Sequence, residues 1–559
     1  MESTKWQLLP AAPEEYLSAS GVPALIAQLL YNRGVKPGEI DLFLASDHRL
    51  VRSPFLLPDM SQAVNRIYKA LLSGEKIAVY GDFDVDGITA AIVVVEGLSW
   101  LGSKAIPYMP DRHEEGHGLN SGAIEKLHSQ GVNLIITVDC GVTDCDVVEK
   151  SQQMGMDVVI TDHHVPPQEL PRAVAVVDPK RVDSRYPFSD FAGVGVAFKL
   201  VQALLYGHNK EGCLNEFLDL VALGTVTDLV PLVSENRYLV EEGIKILNDT
   251  HRIGLKEMIA LAGLRLGHID TEDISYALGP RLNAASRIAN ACISYELLVT
   301  QSSEEAGRLA RELDEKNVER QRLTNEVQKR VRERLLLHRA YRPLLMEGDE
   351  SYPLGVIGLV AGRLVDEFYK PAIILNFDSE RCRGSCRSIR EFDMVAALEK
   401  CRDLLDSFGG HPMAAGFTVA QGNLAELEQR LTKLATDELG HLELMPKLVI
   451  DAEVPLSVVG DAFNLIQKIA PFGRGNPAPT FLARRLEVIE HRNLGNEGQH
   501  LQCKIRQGNT IWRAMAFNAG KPQEVIPAYI DAVYKIERHW WNGEEVLRLN
   551  LLDFMASQA

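Results

Sequence analysis

The stretch Ile77-Ala-Val-Tyr-Gly-Asp-Phe-Asp-Val-Asp-Gly87 decides the fold, because a short apolar run passes directly into three alternate aspartates. The run 77–80 is apolar at every position, which is typical of a strand buried on both faces of a parallel sheet. Helical spacing precedes it at 61–73 and follows it at 88–101. Strands that alternate with helices in this way predict an α/β domain built on a parallel sheet.

The same pattern occurs twice more, and each predicted strand again ends in acidic or histidine residues. The apolar runs 133–138 and 157–161 are followed by Asp139 and by Asp162-His-His164. Because the carboxyl ends of parallel strands share one edge of a sheet, we expect these side chains to meet in one crevice. The aspartates expected to join them there are Asp82, Asp84 and Asp86.

Clustered carboxylates raise each other's pKa unless a cation neutralises them. Carboxylates with a few imidazoles suit Mn²⁺ or Mg²⁺, and two such ions need several carboxylates, one of which bridges. A single aspartate after a strand is often only a turn or a helix cap, but three acidic clusters at three strand ends favour a metal site. The stretch 81–87 lacks the lysine and the spacing of a P-loop, which excludes that phosphate-binding motif.

The composition fits a globular protein of several domains: 559 residues, 46% hydrophobic and 24% charged. The net charge of −17 excludes an overall basic protein, so a nucleic acid must be held in a local groove or through bound metal. The eight cysteines form no Cys-x-x-Cys pair, which favours reduced thiols in the cytoplasm over a zinc ribbon. The sequence also lacks a signal peptide and a long apolar run, so we expect a cytoplasmic protein without a membrane span.

Changes of pattern predict five parts of the chain. We expect an N-terminal lead-in over 1–60, the first α/β domain over 61–300, a connecting helix within 301–340 and a second α/β domain over 341–442. Residues 443–559 contain short β-rich runs, which predict a small β-barrel such as an OB-fold. A monomer is expected, because no further heptad seam is sustained.

Several motifs resemble the signature of the DHH phosphoesterase superfamily, above all those at 80–87, 138–141 and 162–164. Further matching motifs follow in the same order, from about residue 50 to about residue 550. They lie at 219–231, 278–285, 409–416 and 471–477. The complete order is similar to that of the superfamily's single-stranded-DNA-specific exonucleases. The resemblance implies a DHH catalytic domain, a connecting helix, a DHH-associated substrate-binding domain and an OB-fold-like nucleic-acid-binding barrel.

The function implied by the resemblance is a metal-dependent 5′→3′ exodeoxyribonuclease with two Mn²⁺ or Mg²⁺ ions. Such an enzyme would release 5′-mononucleotides from single-stranded DNA in repair and recombination. The implied partners are a single-strand-binding protein and a RecQ-type helicase, and the implied location is the bacterial nucleoid.

The resemblance also implies roles for individual residues. Asp139 would bridge two ions whose further ligands are Asp84, Asp86, His163 and Asp228. The position of Asp82 among or behind the ligands is open, and His164 would contact the scissile phosphate or orient a ligand. The residues implied to bind substrate are Arg112, Arg281, Asn283, Arg387, Ser388, Gly410 and His411.

The residues alone leave simpler interpretations open for part of this set. Arg112 and Arg281 could be surface ion pairs, Asn283 a structural amide, and Asp228 an acid at a helix end. In the final segment, Phe472 and Trp512 could stack on the bases of a strand, or they could pack in the hydrophobic core. The basic residues that could hold a strand there are Arg474, Arg484, Arg485, Arg492, Lys504, Arg506 and Arg513.

Three other functions compete with the exonuclease. A DHH phosphodiesterase acting on short oligoribonucleotides or cyclic dinucleotides would not need the barrel predicted for 443–559. A pyrophosphatase would need neither that barrel nor this length. A replication scaffold without activity would lack some of the metal ligands, whereas the predicted set is intact here.

Overall fold

The computed structural model describes residues 4–557. The stretches outside the description are 113–114, 209, 289, 339–341, 379, 496–497, 518–525 and 542–543. Among the described helices, none is both long and apolar enough to cross a membrane.

A five-stranded sheet forms the centre of the first domain, and every neighbouring pair of its strands is parallel. The strands, in spatial order, are Ile106–Tyr108, Ile77–Gly81, Leu134–Val138, Asp157–Thr161 and Ala175–Val177. Every residue of the two strands Ile77–Gly81 and Leu134–Val138 is buried, which explains why neither shows alternation. The predicted parallel sheet is confirmed.

Helices surround this sheet and extend the domain. The helices that follow or precede its strands are Met60–Ser73, Val85–Trp100, Ser121–Ser129, Cys145–Gln153 and Gly193–Leu204. Beyond the sheet lie Leu218–Thr227, Ser234–Leu247, Ile253–Leu261, Thr271–Asp273, a π-helical turn Ile274–Leu278, Gly279–Ile288 and Cys292–Val299. Their apolar faces and the sheet enclose one large hydrophobic core.

One helix, Ser303–His338, links the two α/β domains, and its 36 residues lie within the stretch 301–340 where a connecting helix is predicted. Its first half packs into the core of the first domain through Leu309 and Leu313. Its second half packs into the second domain through Val331 and Leu335. This long helix therefore fixes the distance between the domains.

The second domain has a mixed five-stranded sheet. In spatial order its strands are Leu405–His411, Ala414–Ala420, Arg381–Arg387, Ala372–Phe377 and Leu345–Asp349. Only the last pair is parallel. Its helices are Leu354–Phe368, Met394–Glu399 and Leu424–Leu439.

The predicted barrel is confirmed in the C-terminal segment. Its strands, in order around the barrel, are Phe481–Leu494, His500–Gln507, Thr510–Ala516, Glu544–Ala556 and Tyr529–Trp541. The first and last of these strands pair with each other, which closes the sheet. The short strand Ala452–Glu453 extends it, and the helix Leu456–Gln467 packs into its core.

The start of the chain returns to this barrel. The strand Lys5–Leu8 pairs in parallel with Lys447–Ile450. Three helices follow it: Glu14–Ser20, Ala24–Asn32 and Ile40–Ala45. The side chains of Leu29 and Leu30 are buried in the same core as the barrel helix. We call residues 5–45 together with residues 447–557 the terminal unit. The boundaries at 60, 300, 340 and 442 that the sequence suggests stay predictions.

Arg237, on the helix Ser234–Leu247, joins the terminal unit to the first domain. Its guanidinium is buried and donates to the carbonyl oxygens of Phe43 (3.1 Å), Lys468 (3.2 Å) and Ile469 (2.6 Å). Burial lowers the pKa of Arg237 to about 10. Separation of the terminal unit from the first domain would break these three hydrogen bonds, which would cost free energy.

Candidate metal centre

The turn after the strand Ile77–Gly81 sets the first aspartates in place. Asp84 caps the helix Val85–Trp100, and its Oδ1 accepts hydrogen bonds from the backbone N–H groups of Asp86 (3.0 Å) and Gly87 (3.1 Å). A Cβ on Gly87 would lie 2.6 Å from the backbone nitrogen of Asp82. The turn is therefore so tight that a glycine is required at position 87.

Asp86 is held by the next helix of the site. Its two carboxylate oxygens accept from the N–H groups of Gly193 (2.6 Å) and Val194 (2.8 Å), at the start of the helix Gly193–Leu204. A Cβ on Gly193 would lie 2.4 Å from the Cβ of Asp139. Sequence reasoning missed Gly193, although Gly-Val-Gly at the start of an apolar helix was a visible signal.

Asp139 follows the strand Leu134–Val138 with a left-handed backbone, φ +62°. This conformation is uncommon for a residue other than glycine and is often found at functional sites. The Oδ1 atom of Asp139 is buried and lies 3.0 Å from Nε2 of His163. Asp139 thus occupies the middle of the acidic cluster.

Asp162 holds the two histidines rather than facing the cluster. Its Oδ1 accepts from the backbone N–H groups of His163 (2.7 Å) and His164 (3.1 Å) and lies 2.8 Å from Nδ1 of His164. Burial, with a contribution from His164, lowers the pKa of His163 to about 3, so this imidazole is neutral and able to bind a metal. Burial opposes protonation of His164 too, but Asp162 outweighs it and raises that pKa to about 9.

Asp228 lies directly after the helix Leu218–Thr227, and its Oδ2 is 3.8 Å from Nε2 of His163. The residues alone indicated no more than a helix-end acid. The structure places the side chain beside His163, which follows the strand Asp157–Thr161. Burial and then Asp84 raise the pKa of Asp228 to about 7.

Three overlapping groups of ligand atoms arise in the described part of the chain, and within each the atoms lie within 4.8 Å of one another. The groups are Asp82 with Asp84 and Asp139, Asp86 with His163 and Asp228, and Asp139 with His163 and His164. Asp139 and His163 each belong to two of the three groups, so the groups form one continuous cluster.

The donor atoms fit divalent cations. Among the described residues, the buried atoms Oδ1 of Asp82, Oδ1 of Asp139 and Nε2 of His163 make no hydrogen bond. Burial, followed by repulsion from neighbouring carboxylates, raises the pKa of Asp86 and Asp139 well above its ordinary value. A bound cation would satisfy the buried oxygens and reduce the repulsion between the carboxylates.

A cluster of arginines adjoins the Asp82–Asp84 end of the centre. Burial, followed by repulsion from Arg112, Arg320 and Arg387, lowers the pKa of Arg287 to about 9. We call these four residues the arginine cluster. Sequence reasoning named Arg112 and Arg387 but missed Arg287 and Arg320. Arg320 lies among many other charged residues on the helix Ser303–His338.

Other predicted substrate residues have local partners. Arg281 pairs with Asp314 (Nε to Oδ1, 2.9 Å), and Oδ1 of Asn283 accepts from the backbone N–H of Val85 (3.1 Å). Ser388 is buried and donates to the carbonyl of Phe392 (2.6 Å). Asn283 therefore supports the turn that carries Asp84 and Asp86.

The Gly409-Gly-His411 stretch approaches the Asp228 end of the centre. Gly410 has φ +135°, and a Cβ there would lie 2.4 Å from the carbonyl oxygen of Ala414. Burial lowers the pKa of His411, and the charges of His164, Lys180 and Arg474 lower it further. Cations of the first domain and of the terminal unit therefore lie near His411 of the second domain on this side of the site. Sequence reasoning also missed Lys180, which lies in a loop without a recognisable motif.

Three of the seven basic residues predicted to hold a strand on the barrel have acidic partners. Arg484 pairs with Glu453, Lys504 with Glu490, and Arg506 with Glu487. Trp512 donates to the carbonyl of Leu456 (3.1 Å). The barrel surface is thus less basic than the number of its arginines suggests.

The fold and the site together define a DHH-type phosphoesterase. Residues 76–225 match the DHH family, N-terminal domain, and residues 341–439 match the DHHA1 domain. Residues 450–553 match the RecJ OB domain.

The chain belongs to the RecJ family of single-stranded-DNA-specific exonucleases. It is 37% identical to RecJ of Bacillus subtilis (strain 168) over 96% of this chain and 68% of that relative. It is 32% identical to RecJ of Escherichia coli (strain K12) over 94% of this chain and 95% of that relative. The crystal structure of RecJ in complex with Mn²⁺ from Thermus thermophilus superposes with a TM-score of 0.84 at 27% identity, over 99% of this chain and 80% of that one.

Proposed function

We propose that this chain is a 5′→3′ exonuclease specific for single-stranded DNA, which hydrolyses phosphodiester bonds and releases 5′-mononucleotides with two Mn²⁺ or Mg²⁺ ions. The observation that carries the proposal is the proximity of two clusters of opposite charge, which interact through Arg112 and Arg287 with Asp84. The carboxylates suit divalent cations, and the arginine cluster beside them suits a terminal phosphate.

Five residues would hold the ions: Asp84, Asp86, Asp139, His163 and Asp228. Bound there, two divalent ions would polarise the scissile phosphodiester and stabilise the departing 3′ oxygen. The hydrogen bonds of Asp84 and Asp86 to two helix N-termini fix their carboxylates before any ligand arrives. Oδ2 of Asp82 lies 3.1 Å from Nδ1 of His117. Asp82 would either bind an ion itself or orient the residues that do.

The proposed direction of cutting fits the positions of the cations. Arg112, Arg287, Arg320 and Arg387 adjoin the Asp82–Asp84 end, so a 5′-terminal phosphate bound there leaves the first internucleotide bond beside the metal ligands. Lys180 and His411 adjoin the Asp228 end, where the rest of the strand would leave. Each cut would then release one nucleotide.

His164 is suited to the scissile phosphate itself. Its pKa of about 9 keeps it protonated at neutral pH, and about half of its side chain is exposed beside Asp139 and His163. A protonated imidazole there would donate a hydrogen bond to a phosphate oxygen during the reaction. Arg281 and Asn283 would act indirectly, by holding the helix and the turn that border the site. Ser388 and Gly410 would shape the path of the strand.

Single-stranded DNA with a 5′ phosphate and a 3′ label provides the test. With Mn²⁺ or Mg²⁺, we expect a ladder of labelled fragments that shorten stepwise, and no reaction in EDTA. Immediate release of the label would show cutting from the 3′ end and would refute the direction. If only dinucleotides or short RNA were cut, the chain would instead be a phosphodiesterase of small nucleotides.

The cellular setting is also proposed. A role in repair and recombination at the nucleoid, with a single-strand-binding protein and a RecQ-type helicase as partners, fits an enzyme that needs single-stranded ends. Co-purification of the tagged monomer from DNA-damaged cells, with nuclease added to remove bridging DNA, would test those partners.

A further inference from the structure

One loop of the terminal unit lies against the segment that carries Asp228. The backbone N–H of Leu232 donates to the carbonyl of Arg474 (2.7 Å), and Thr271 Oγ1 donates to the carbonyl of Phe472 (2.7 Å). A Cβ on Gly473 would lie 2.7 Å from Cδ1 of Leu232. The stretch 471–477, which the sequence marks as a motif, is therefore a docking loop whose close approach requires a glycine.

The docking loop is held from behind by the terminal unit. Arg33 donates to Oδ1 of Asn476 (2.7 Å) and to the carbonyl of Pro477 (2.6 Å). Asn476 is buried, and its Nδ2 donates to the carbonyls of Ile469 and Pro471, both at 2.8 Å. The loop thus presents a fixed surface to the first domain.

The segment that it contacts contains a strained residue. Leu229, directly after Asp228, has φ +60°, and its side chain is exposed. Its carbonyl accepts a hydrogen bond from Nη1 of Arg474 (3.2 Å). A leucine in this conformation persists only where its surroundings hold it. Because Asp228 is the preceding residue, a change in this backbone would move its carboxylate away from His163.

We propose that Arg474 is a positioning residue for the metal centre: its hydrogen bond to Leu229 holds the strained turn, so that the terminal unit completes the cation site formed by Asp86, His163 and Asp228. The inference rests on the proposed metal-dependent function but concerns how the ligands are held. It gives the docking loop a role beyond joining two parts of the chain.

Titration of the full-length, DNA-free protein with Mn²⁺, followed by the electron paramagnetic resonance of the free ion, tests the proposal. In Arg474→Met we expect one of two sites to weaken about 10–100-fold, the usual effect of losing a residue that orients a ligand. The Arg474→Lys variant keeps a long cationic donor and should recover most of the affinity. The matched control is Arg538→Met, which removes another half-exposed arginine of the terminal unit.

Two results would overturn the inference. The first is wild-type Mn²⁺ affinity in Arg474→Met together with a raised KM for DNA, which would make Arg474 a DNA contact. If Arg474→Met also lowers the melting temperature, Arg474→Lys decides, since equal loss of affinity in that variant is the second refuting result. A wild type that binds two Mn²⁺ but cuts no DNA would refute the proposed exonuclease and leave this inference standing.

Discussion

The metal centre and the arginine cluster are neighbours of opposite charge, and they are built in different ways. The carboxylates come from the ends of adjacent parallel strands and from helix caps, so secondary structure alone brings most of them together. The arginines come from a loop, two helices and a strand that belong to two domains. Each cluster keeps like charges close together, so each is expected to cost stability until a ligand of the opposite charge binds.

The largest effect should come from the centre of the acidic cluster. Asp139→Ala removes a carboxylate that two of the three ligand groups share, so we expect kcat on single-stranded DNA to fall at least about 10³-fold, since loss of one electrostatic stabiliser already costs about 10²–10³-fold. Gel assays of the 3′-labelled strand measure this. The exposed Asp183→Ala is the matched control and should keep wild-type activity. Similar rates in both variants would remove Asp139 from the site.

The second prediction concerns metal removal and pH. The raised pKa values of Asp86, Asp139 and Asp228 mean that the folded, metal-free protein binds more protons than the unfolded chain. The stability that these three carboxyls contribute should therefore fall as pH rises from about 4 through 7, the latter being the pKa of Asp228, whereas the lowered pKa of His163 acts in the opposite direction. Mn²⁺ replaces those protons, so the gain in melting temperature on adding Mn²⁺ should be larger at pH 8 than at pH 5.

Differential scanning fluorimetry in EDTA and in Mn²⁺ measures this difference. Each pKa unit of relief corresponds to about 1.4 kcal/mol, or about 3–6 °C in a domain of about 150–250 residues. A gain that does not change with pH would mean that the carboxylates are not what the ion neutralises.

The third prediction tests the arginine cluster. Arg320→Met removes one repelling charge, so the melting temperature should stay the same or rise, while the preference for a 5′-phosphorylated over a 5′-hydroxyl strand should fall about tenfold. Competition binding with the two strands gives the preference. Arg322→Met, in the same long helix but paired with Glu326 on the surface, should change neither quantity. A lower melting temperature with an unchanged preference would make Arg320 a structural residue.

The smallest effect should come from the barrel. Arg506 is paired with Glu487 at 2.6 Å, so Arg506→Met should lower the affinity for single-stranded DNA less than about threefold, in line with the small worth of exposed ion pairs. Fluorescence anisotropy at low salt measures it. A loss as large as that in Arg320→Met would show that the barrel surface, and not the arginine cluster, dominates binding.

The acidic cluster could largely be predicted from the sequence, because strand ends in a parallel sheet follow a simple rule. Asp84, Asp86, Asp139 and His163 all come directly after apolar runs. Asp228 could not be predicted from the residues alone, since nothing in a buried helix indicates what lies beyond its end. Only the resemblance to a family placed it at the metals.

The arginine cluster was only partly predictable, because it depends on packing between distant elements. Arg281, which the motif indicates, pairs with Asp314 and repels Arg320, and Arg287 six positions later adjoins the same arginines. Both residues lie on the helix Gly279–Ile288. Which neighbours each of them meets therefore depends on how this helix packs, and the sequence does not show that. The β-barrel was predicted, but the pairing of Lys5–Leu8 with Lys447–Ile450 was not, since no local pattern indicates a partner so far along the chain.

That pairing has a consequence for the chain as it is being made. Apart from neighbours within residues 16–44, the core that buries Leu29 and Leu30 is made of residues beyond 447, so most of that core is missing while the first domain is already complete. A ribosome that adds about 5–20 residues per second needs about 20–80 s to make the roughly 400 residues in between. During that time the first helices would depend on chaperones, and slower translation would lengthen the exposure. Synthesis of the C-terminal segment therefore allows the N-terminal helices to bury their hydrophobic side chains.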